Sequence, residues 1–206
     1  MFCSTIVPTI GRATLSRAVD SVLTQVFDSE DFEVIVVNDS GRPLPDAEWQ
    51  RSSRVRILET HRRERSVARN TGAAIARGRY LHFLDDDDWM LPRAFHSLWE
   101  LSQTTDAAWL YGSSQLVDRK GRPLLRLRHD LRGNCFVQVM AGEWVPLQSS
   151  LIRADAFFAI GGFAPLMTVR EDIDLCRRIA LRGDLVGTEA VVACIGMGVE
   201  GSSTDH

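Results

Sequence analysis

The sequence predicts an α/β protein with an open, mainly parallel sheet, helices on its faces and a small antiparallel portion in its second half. Two observations support this fold class. Residues 32–39, FEVIVVND, are apolar on both faces of a strand, which is typical of central parallel strands. Elsewhere the apolar residues recur at spacings of three and four, the period of an amphipathic helix. Strands and helices that alternate in this way indicate an open α/β sheet.

The first half contains four predicted strands and two predicted helices. The strands cover residues 4–8, 32–39, 54–59 and 80–84. The first helix is predicted from a stripe of Leu15, Val19, Val22, Leu23 and Val26. The second helix covers residues 66–77 and is expected to bury Val67, Ala74 and Ile75. In chain order this gives strand, helix, strand, strand, helix and strand.

The second half is less regular but supplies elements that complete a sheet. We predict a helix over residues 92–103, a hairpin over 107–128 that turns at DRKG, and a strand over 148–153. A short helix, the Gly161-Gly162 break, a helix over 171–182 and a strand near 191–195 follow. The inward residues of the last helix are expected to be Ile173, Cys176, Ile179 and Ala180. No linker divides the chain, so we expect a single domain over residues 1–206.

Composition and charge limit the classes of function. The 206 residues are enough for one domain with a substantial core. A formal net charge of −3 gives no overall argument for binding nucleic acid or an anionic membrane. No apolar run is long enough to predict a transmembrane segment, although a peripheral membrane association is compatible with this composition. The N-terminus shows no secretory pattern and the four cysteines are scattered, so we expect a cytoplasmic protein with reduced thiols.

Acidic residues follow two of the predicted strands, at the sheet edge where open α/β sheets bind ligands. Asp39 follows VIVVN, and Asp85, Asp86, Asp87 and Asp88 follow YLHFL. Mg²⁺ and Mn²⁺ prefer carboxylate oxygens, so an alternating pair such as Asp85 and Asp87 suits a metal. Alternatively, Asp86 to Asp88 open the next helix, where acidic side chains offset the helix dipole. The run by itself leaves both interpretations open.

A series of motifs gives these acids a context. In chain order they are CSTIVPT, SVLTQ, FEVIVVNDS, ARNTG, GRYLHFLDDDD, and GGF followed by EDIDL. Each motif is weak alone, but in this order they resemble the family 2 glycosyltransferases. The resemblance implies the GT-A fold, a Rossmann-like sheet, and a metal-dependent enzyme that transfers a sugar from a nucleotide diphosphate donor to a hydroxyl acceptor with inversion. It assigns residues 1–103 to the nucleotide sugar and 104–206 to a glycan or other acceptor.

The resemblance makes Asp85-Asp86-Asp87 the D-x-D motif. Asp87 would bind a divalent cation, Mn²⁺ or Mg²⁺, that bridges the donor diphosphate and offsets the charge of this leaving group. Asp85 would lie by the ribose or join the metal site, and Asp86 would lie near the nucleotide. Asp88 is then the candidate for helix capping. Since Asp86 and Asp88 have the same spacing, the register of the motif is open.

The resemblance also assigns a pocket for the nucleobase. Asp39 would accept a hydrogen bond from a ring N–H, which favours UDP, although thymine and guanine carry such a group too. The alternative role of Asp39 is a turn at NDSG. Pro8 and Thr9 would line the pocket. Ile10 is also assigned to it and departs from the family, in which an aromatic residue is common at this point.

Three arginines are candidates for contact with the donor. The resemblance makes Arg69 of ARNTG the basic residue that faces the donor, and a guanidinium suits phosphate because of its forked donors. Arg12 and Arg65 are the further cations assigned to donor binding. The stretch HRRERS around Arg65 is Gly-rich in the family. It is either a solvated loop or extra positive charge over the diphosphate.

A third acidic element, Glu171-Asp172, opens a predicted helix, where such pairs commonly offset the dipole. The resemblance makes Asp172 the general base that takes the proton of the acceptor hydroxyl, and Glu171 a residue that orients the acceptor. Trp144 is a weaker candidate for stacking on an acceptor sugar, with a structural role as the alternative. His206 and Glu200 are the candidates for a further metal ligand, and neither is assigned.

Two other functions are compatible with parts of the sequence. A catalytically silent module that binds a nucleotide or carbohydrate would keep the same fold, but the presence of all three acidic elements favours an enzyme. A sugar nucleotidyltransferase would also have a nucleotide-binding sheet. It is disfavoured because PTIGRATL lacks the Gly-rich phosphate loop of those enzymes.

Overall fold

The structure is a computed structural model that describes residues 1–27, 31–61, 64–167 and 169–197. Within these ranges lie the strands β1 (Cys3–Thr9), β2 (Phe32–Asn38), β3 (Val55–Glu59), β4 (Tyr80–Phe83), β5 (Trp89–Met90), β6 (Trp109–Val117), β7 (Pro123–Leu127), β8 (Ser150–Arg153) and β9 (Leu185–Gly196). The helices are α1 (Leu15–Leu23), α2 (Arg65–Ala74), α3 (Ala94–Ser102), α4 (Phe136–Met140), α5 (Ala154–Ala159) and α6 (Glu171–Ala180). Short 3₁₀ helices occupy Glu48–Arg51 and Leu147–Ser149.

The described strands form one mixed sheet in the order β3-β2-β1-β4-β8-β6-β9-β5, and β7 pairs with β6 beside this path. The strands of the first half, β1 to β4, are parallel to one another. Strand β8 is antiparallel to β4 and β6, while β6 and β9 are parallel. Strands β5 and β7 are antiparallel to their neighbours. The predicted α/β sheet, mainly parallel with an antiparallel portion in the second half, is confirmed.

Two apolar clusters cover the two faces of the sheet, and alternation along the strands separates them. Ile35 and Val37 of β2 belong to the cluster under α2, α4, α5 and α6. Val34 and Val36 belong to the cluster under α1 and α3. All four side chains are fully buried, which explains why this strand reads as a continuous apolar run.

Two predicted helical faces are partly wrong. Helix α1 ends at Leu23, so Val26 lies beyond it and is 56% exposed. On α2 the predicted inward residue Ala74 is exposed, and the buried face consists of Ser66, Ala68, Arg69, Gly72 and Ala73. Small side chains form this face because the helix lies close to the sheet: a Cβ on Gly72 would lie 2.6 Å from Cγ2 of Ile6. Periodicity of large apolar residues could not reveal a face of this kind.

The chain after the aspartates also differs from the prediction. The two residues of β5 follow Asp88 directly, and α3 begins only at Ala94, with Arg93 as its N-cap. Asp88 therefore does not cap a helix, and the interpretation of Asp86 to Asp88 as a helix start is wrong. Helix α4 was not predicted, and β9 is longer than expected.

Other expectations are confirmed in the described residues. The hairpin that turns at DRKG is β6 and β7, and the last predicted helix is α6. All four cysteines are free and buried. No helix in the described part of the chain is long and apolar enough to cross a bilayer.

Candidate active site

The predicted acids converge at one edge of the sheet, beyond the carboxyl ends of β1, β2 and β4. The backbone N–H of Asp39 donates to the carbonyl of Thr9, 2.8 Å away, so the ends of β1 and β2 adjoin. The hydroxyl of Thr9 donates to the carboxylate of Asp86, which joins the end of β1 to the aspartate run. A parallel sheet brings these chain ends together because its strands point the same way.

Three carboxylates of the run form one group. Single oxygen atoms of Asp85, Asp87 and Asp88 lie within 4.8 Å of one another. The prediction of Asp85 and Asp87 as a pair is consistent with this geometry, and Asp88 is an addition that sequence reasoning assigned to a helix cap. Asp88 is held by the backbone N–H of Gly196, which donates to its Oδ1 over 2.8 Å. The end of β9 thus reaches the aspartates.

Crowding changes the acidity of this group. Burial, and next the charge of Asp85, raise the pKa of Asp87 to about 6. Burial and the charges of Asp85 and Asp87 raise the pKa of Asp88 well above its ordinary value. Burial opposes ionisation of Asp85 as well, but the Arg69 guanidinium holds the pKa of that carboxyl below its usual range. A divalent cation among these oxygens would offset both the cost of burying these charges and their mutual repulsion, so the donor set fits Mg²⁺ or Mn²⁺.

Asp86 serves a different set of contacts. Its carboxylate, 1% exposed, accepts hydrogen bonds from Thr9 and from Arg12. The backbone carbonyl of Asp87 accepts from Arg17, whose guanidinium lies 3.8 Å from the ring centroid of Trp89. These contacts hold the aspartate turn against the end of β1 and against α1. The predicted donor contacts of Asp86 and Arg12 stay predictions.

Gln148 is a residue of the site that sequence reasoning missed. Its amide nitrogen donates to Oδ2 of Asp85 over 3.1 Å. Its backbone carbonyl lies 3.0 Å from Nε2 of His82, whose Nδ1 lies 3.1 Å from the hydroxyl of Thr5. Burial lowers the pKa of His82 to about 4, so the ring is neutral at pH 7 and Nε2–H is the donor to the carbonyl.

Arg69 joins the first half of the chain to the second. It is 3% exposed, and its two terminal nitrogens donate to Asp85 over 2.7 Å and to Glu171 over 2.8 Å. Arg65, also predicted at the donor, is half-exposed and lies 3.6 Å from the same Glu171 oxygen. Arg69 thus lies between two acids, and Glu171 is buried against it. The predicted contacts of Arg69 with the donor and of Glu171 with an acceptor stay predictions.

Asp172 follows Glu171 in the first turn of α6. Burial raises its pKa, although the backbone N–H of Ile173 donates to the carboxylate and opposes the shift. Arg170, the N-cap, has a positive φ of 59°, a sparsely populated conformation for a residue with a side chain. Asp174, two positions after Asp172, binds Arg178, which in turn donates to the carbonyls of Ile160 and Gly162. Asp172 and Asp174 therefore have different surroundings.

The other residues predicted to bind the donor or the acceptor have the following surroundings. Asp39 is 3% exposed and accepts hydrogen bonds from the hydroxyl of Thr60 and the backbone N–H of Glu64. Asp39 lies in the turn after β2, in which the side chain of Asn38 binds Ser40 and Arg42. Pro8 is partly buried, and Ile10 is 49% exposed. Trp144 is partly buried, and its ring centroid lies 6.4 Å from that of His129. The predicted roles of His206 and Glu200 lie outside the described residues.

Comparison with known proteins decides the family. The model of the family described as glycosyl transferase family 2 matches residues 4–167, which include all but the first residue of β1, the aspartate run, Arg69 and Gln148. The chain belongs to glycosyl transferase family 2.

Similar curated proteins in this family are bacterial. The chain is 32% identical over 125 residues to the poly(ribitol-phosphate) beta-N-acetylglucosaminyltransferase TarP of Staphylococcus aureus strain N315, covering 58% of this chain and 38% of TarP. It is 36% identical over 91 residues to the uncharacterized glycosyltransferase EpsJ of Bacillus subtilis strain 168, covering 42% of this chain and 26% of EpsJ. The aligned parts are thus well under half of the length of either relative.

Solved structures confirm the fold. The S. aureus TarS 1–349 structure in complex with UDP-GlcNAc superposes with a TM-score of 0.80 and 16% identity, over 99% of this chain and 60% of that one. The same part of TarS in complex with UDP gives a TM-score of 0.75 at 16% identity, over 96% of this chain and 61% of that one. The predicted GT-A fold is therefore confirmed, although at this identity the likeness extends to the fold alone.

Proposed function

We propose that the chain is a metal-dependent, inverting glycosyltransferase domain that transfers a sugar from a UDP-linked donor to a hydroxyl acceptor. The observation that carries the proposal is the double contact of Arg69, with Asp85 over 2.7 Å and with Glu171 over 2.8 Å. It brings the D-x-D aspartates and the start of α6 to one site. A donor bound at the aspartates and a general base at the start of α6 would then face each other, which is the arrangement that inversion requires.

Asp172 is the proposed general base. Inversion requires the acceptor hydroxyl to lose its proton as it attacks the anomeric carbon from the face opposite the leaving diphosphate. Burial of Asp172 raises its pKa, which makes the carboxylate a better proton acceptor. Glu171, buried against Arg69, fixes the first turn of α6 and so the position of Asp172. It is a positioning residue in this proposal.

Asp85, Asp87 and Asp88 are the residues that would hold Mg²⁺ or Mn²⁺, and Gln148 orients Asp85. When bound, the cation offsets the negative charge that develops on the diphosphate as the sugar leaves. Arg69 keeps Asp85 ionised and so available to the metal. The buried carboxylate of Asp39 would accept the N3–H of uracil, and the superposition on a UDP-GlcNAc complex of TarS supports a UDP donor.

Release of the nucleoside diphosphate from a panel of UDP- and GDP-sugars, with Mn²⁺ and an acceptor mixture, tests this proposal. Asp172→Asn should lower turnover by about 10²- to 10⁴-fold, the usual contribution of a general base, while UDP binding is kept. Asp87→Ala should lower both turnover and Mn²⁺-dependent UDP binding. Asp174→Asn is the matched control on α6, because its partner is Arg178 and not the site. It should keep most of the activity.

Each outcome bears on a different part of the proposal. Full turnover in both Asp172→Asn and Asp87→Ala would show that the residue roles are wrong. UDP binding without turnover by the wild type, for every sugar and acceptor tested, would favour the silent binding module. Absence of nucleotide-sugar binding with Mn²⁺ and with Mg²⁺ would contradict the enzyme itself.

A further inference from the structure

The hairpin of β6 and β7 carries a surface that the proposed reaction does not use. We define the basic hairpin as residues 118–128, DRKGRPLLRLR. It contains five cationic side chains and one carboxylate, hence a formal charge of +4 in a chain of −3, so the remaining sequence carries −7. Positive charge is therefore concentrated in eleven residues of an otherwise acidic chain. Such asymmetry indicates an anionic partner for this segment.

Two of the three leucines of the basic hairpin are exposed among these cations. Leu124 and Leu125 are 59% and 57% exposed, and Arg119, Lys120, Arg122 and Arg128 around them are exposed as well. The β6–β7 ladder shifts register between Leu116 and Val117, where Pro123 and Leu125 are the paired residues, so Leu124 is the extra residue of a bulge. A bulge re-aims side chains and twists the strand. Both leucines consequently reach solvent.

Protection of a sheet edge explains only part of this surface. Among the described residues β7 pairs with β6 alone, so its outer edge is open. Arginines, a proline and a bulge are the features by which edge strands avoid pairing with other chains. Two adjacent exposed leucines have the opposite effect, because they add an apolar contact to an open edge. An apolar contact ringed by cations fits an anionic lipid bilayer, in which leucines enter the interface and arginines meet the headgroups.

The position of the hairpin relates this surface to the active site. The backbone N–H of Met197 donates to the carbonyl of Val117, just before the turn, and its neighbour Gly196 donates to Asp88. The turn therefore lies at the same sheet edge as the aspartates. We propose that the basic hairpin docks the protein on an anionic membrane surface, with Leu124 and Leu125 in the interface and with the active site held near the headgroups. This docking does not depend on the proposed reaction.

Co-sedimentation with lipid vesicles tests the docking. The vesicles are phosphatidylcholine alone, or phosphatidylcholine with about one third phosphatidylglycerol, at low ionic strength. Wild type should pellet with the anionic vesicles only, and high salt should weaken this binding. The triple variant Arg119→Gln, Lys120→Gln, Arg128→Gln should bind about 100-fold more weakly, since each cation contributes about fivefold at an anionic surface. Leu124→Ser with Leu125→Ser should bind at least about tenfold more weakly.

Matched control variants show whether vesicle binding depends on the position of the changed residues or only on the total charge and apolar surface removed. Arg51→Gln, Arg93→Gln, Arg182→Gln removes the same charge from exposed positions elsewhere, and Val137→Ser with Leu181→Ser removes exposed apolar side chains outside the hairpin. These variants should bind like wild type. Equal losses in the hairpin and control variants would overturn the proposal, as would equal binding of wild type to both kinds of vesicle. Binding to heparin without binding to vesicles would assign the surface to a soluble polyanion and also overturn it.

A fluorescent probe provides a measurement that does not depend on comparing weakened variants. The four native cysteines are buried, so a thiol-reactive, polarity-sensitive dye can label Leu124→Cys selectively. With anionic vesicles its emission should shift to shorter wavelength, as expected for transfer into an apolar interface. Leu181→Cys, at a position that is 62% exposed, is the control and should not shift. An unshifted emission at residue 124 in sedimenting protein would contradict insertion of the leucines.

Discussion

Gln148 shows how a single residue of the site depends on contacts distant in sequence. It lies 63 positions from Asp85, to which its amide nitrogen donates. Its backbone is held by His82, a buried ring whose lowered pKa of about 4 keeps it neutral at pH 7. The motifs indicated Asp85, Asp87 and Asp172 directly, because a family signature includes those positions. No periodicity or spacing marks Gln148, since its contact arises only when β8 and its preceding turn pack beside β4.

We predict that Gln148→Leu weakens Mn²⁺ binding. The substitution removes the donor that orients Asp85, and loss of such an outer partner typically costs about 10- to 100-fold in metal affinity. Calorimetric titration of the apo protein with Mn²⁺ measures the change. Gln138→Leu, at an exposed position of α4, is the matched control and should bind like wild type. Equal affinities of Gln148→Leu and wild type would show that Gln148 does not orient the metal ligands.

At the scale of elements, sequence patterns predicted the long, strongly apolar segments and missed those defined by tertiary contact. The apolar run of β2 and the stripe of α6 give clear periods, and both elements were predicted. Strand β5 has two residues and exists because Trp89 and Met90 pair with β9. No local pattern reveals it, so Asp88 was assigned to a helix start. The buried face of α2 was also misassigned, because its close approach to the sheet selects small residues and the paired Arg69.

We predict that Gly72→Ala destabilises the protein. In an open helix this change would stabilise by about 1 kcal/mol through propensity. Here the added Cβ would lie 2.6 Å from Ile6 and 3.0 Å from Val37, and overpacking of a rigid core costs about 1–3 kcal/mol. We expect a net loss of about 1 kcal/mol in the free energy of unfolding, measured by urea denaturation. Ala74→Val on the exposed face of α2 should change it by less than about 0.5 kcal/mol. A more stable Gly72→Ala would show that α2 can move away from β1.

At the scale of the whole molecule, the site exists only when distant segments meet. Asp39 follows β2, Asp85 to Asp88 follow β4, Gln148 precedes β8, Glu171 begins α6, and Gly196 ends β9. The alternation of strands and helices in the first half predicts parallel strands, and the carboxyl ends of parallel strands meet at one edge of the sheet. The edge that carries the first two acidic elements could therefore be predicted. The contact between the end of β9 and Asp88 could not be predicted, because β9 pairs in parallel with β6 and antiparallel with β5, and no sequence pattern indicates these pairings. A ligand bound at this edge would contact segments from both halves, so we expect it to stabilise them together.

We therefore predict that Mn²⁺ with UDP raises the melting temperature of the whole protein in one transition. Ligand at about 100 times its Kd stabilises the folded state by about 2.7 kcal/mol, which for a domain of this size corresponds to about 5–10 °C. The shift should be smaller at pH about 5.5 than at about 7.5, because the pKa of Asp87 is about 6 and its protonated form cannot bind the metal. Scanning calorimetry measures the shift; Asp174→Asn should keep it, and Asp87→Ala should lose its Mn²⁺-dependent part. An equal shift by UDP in the presence of a chelator would contradict the assignment of a metal site to these aspartates.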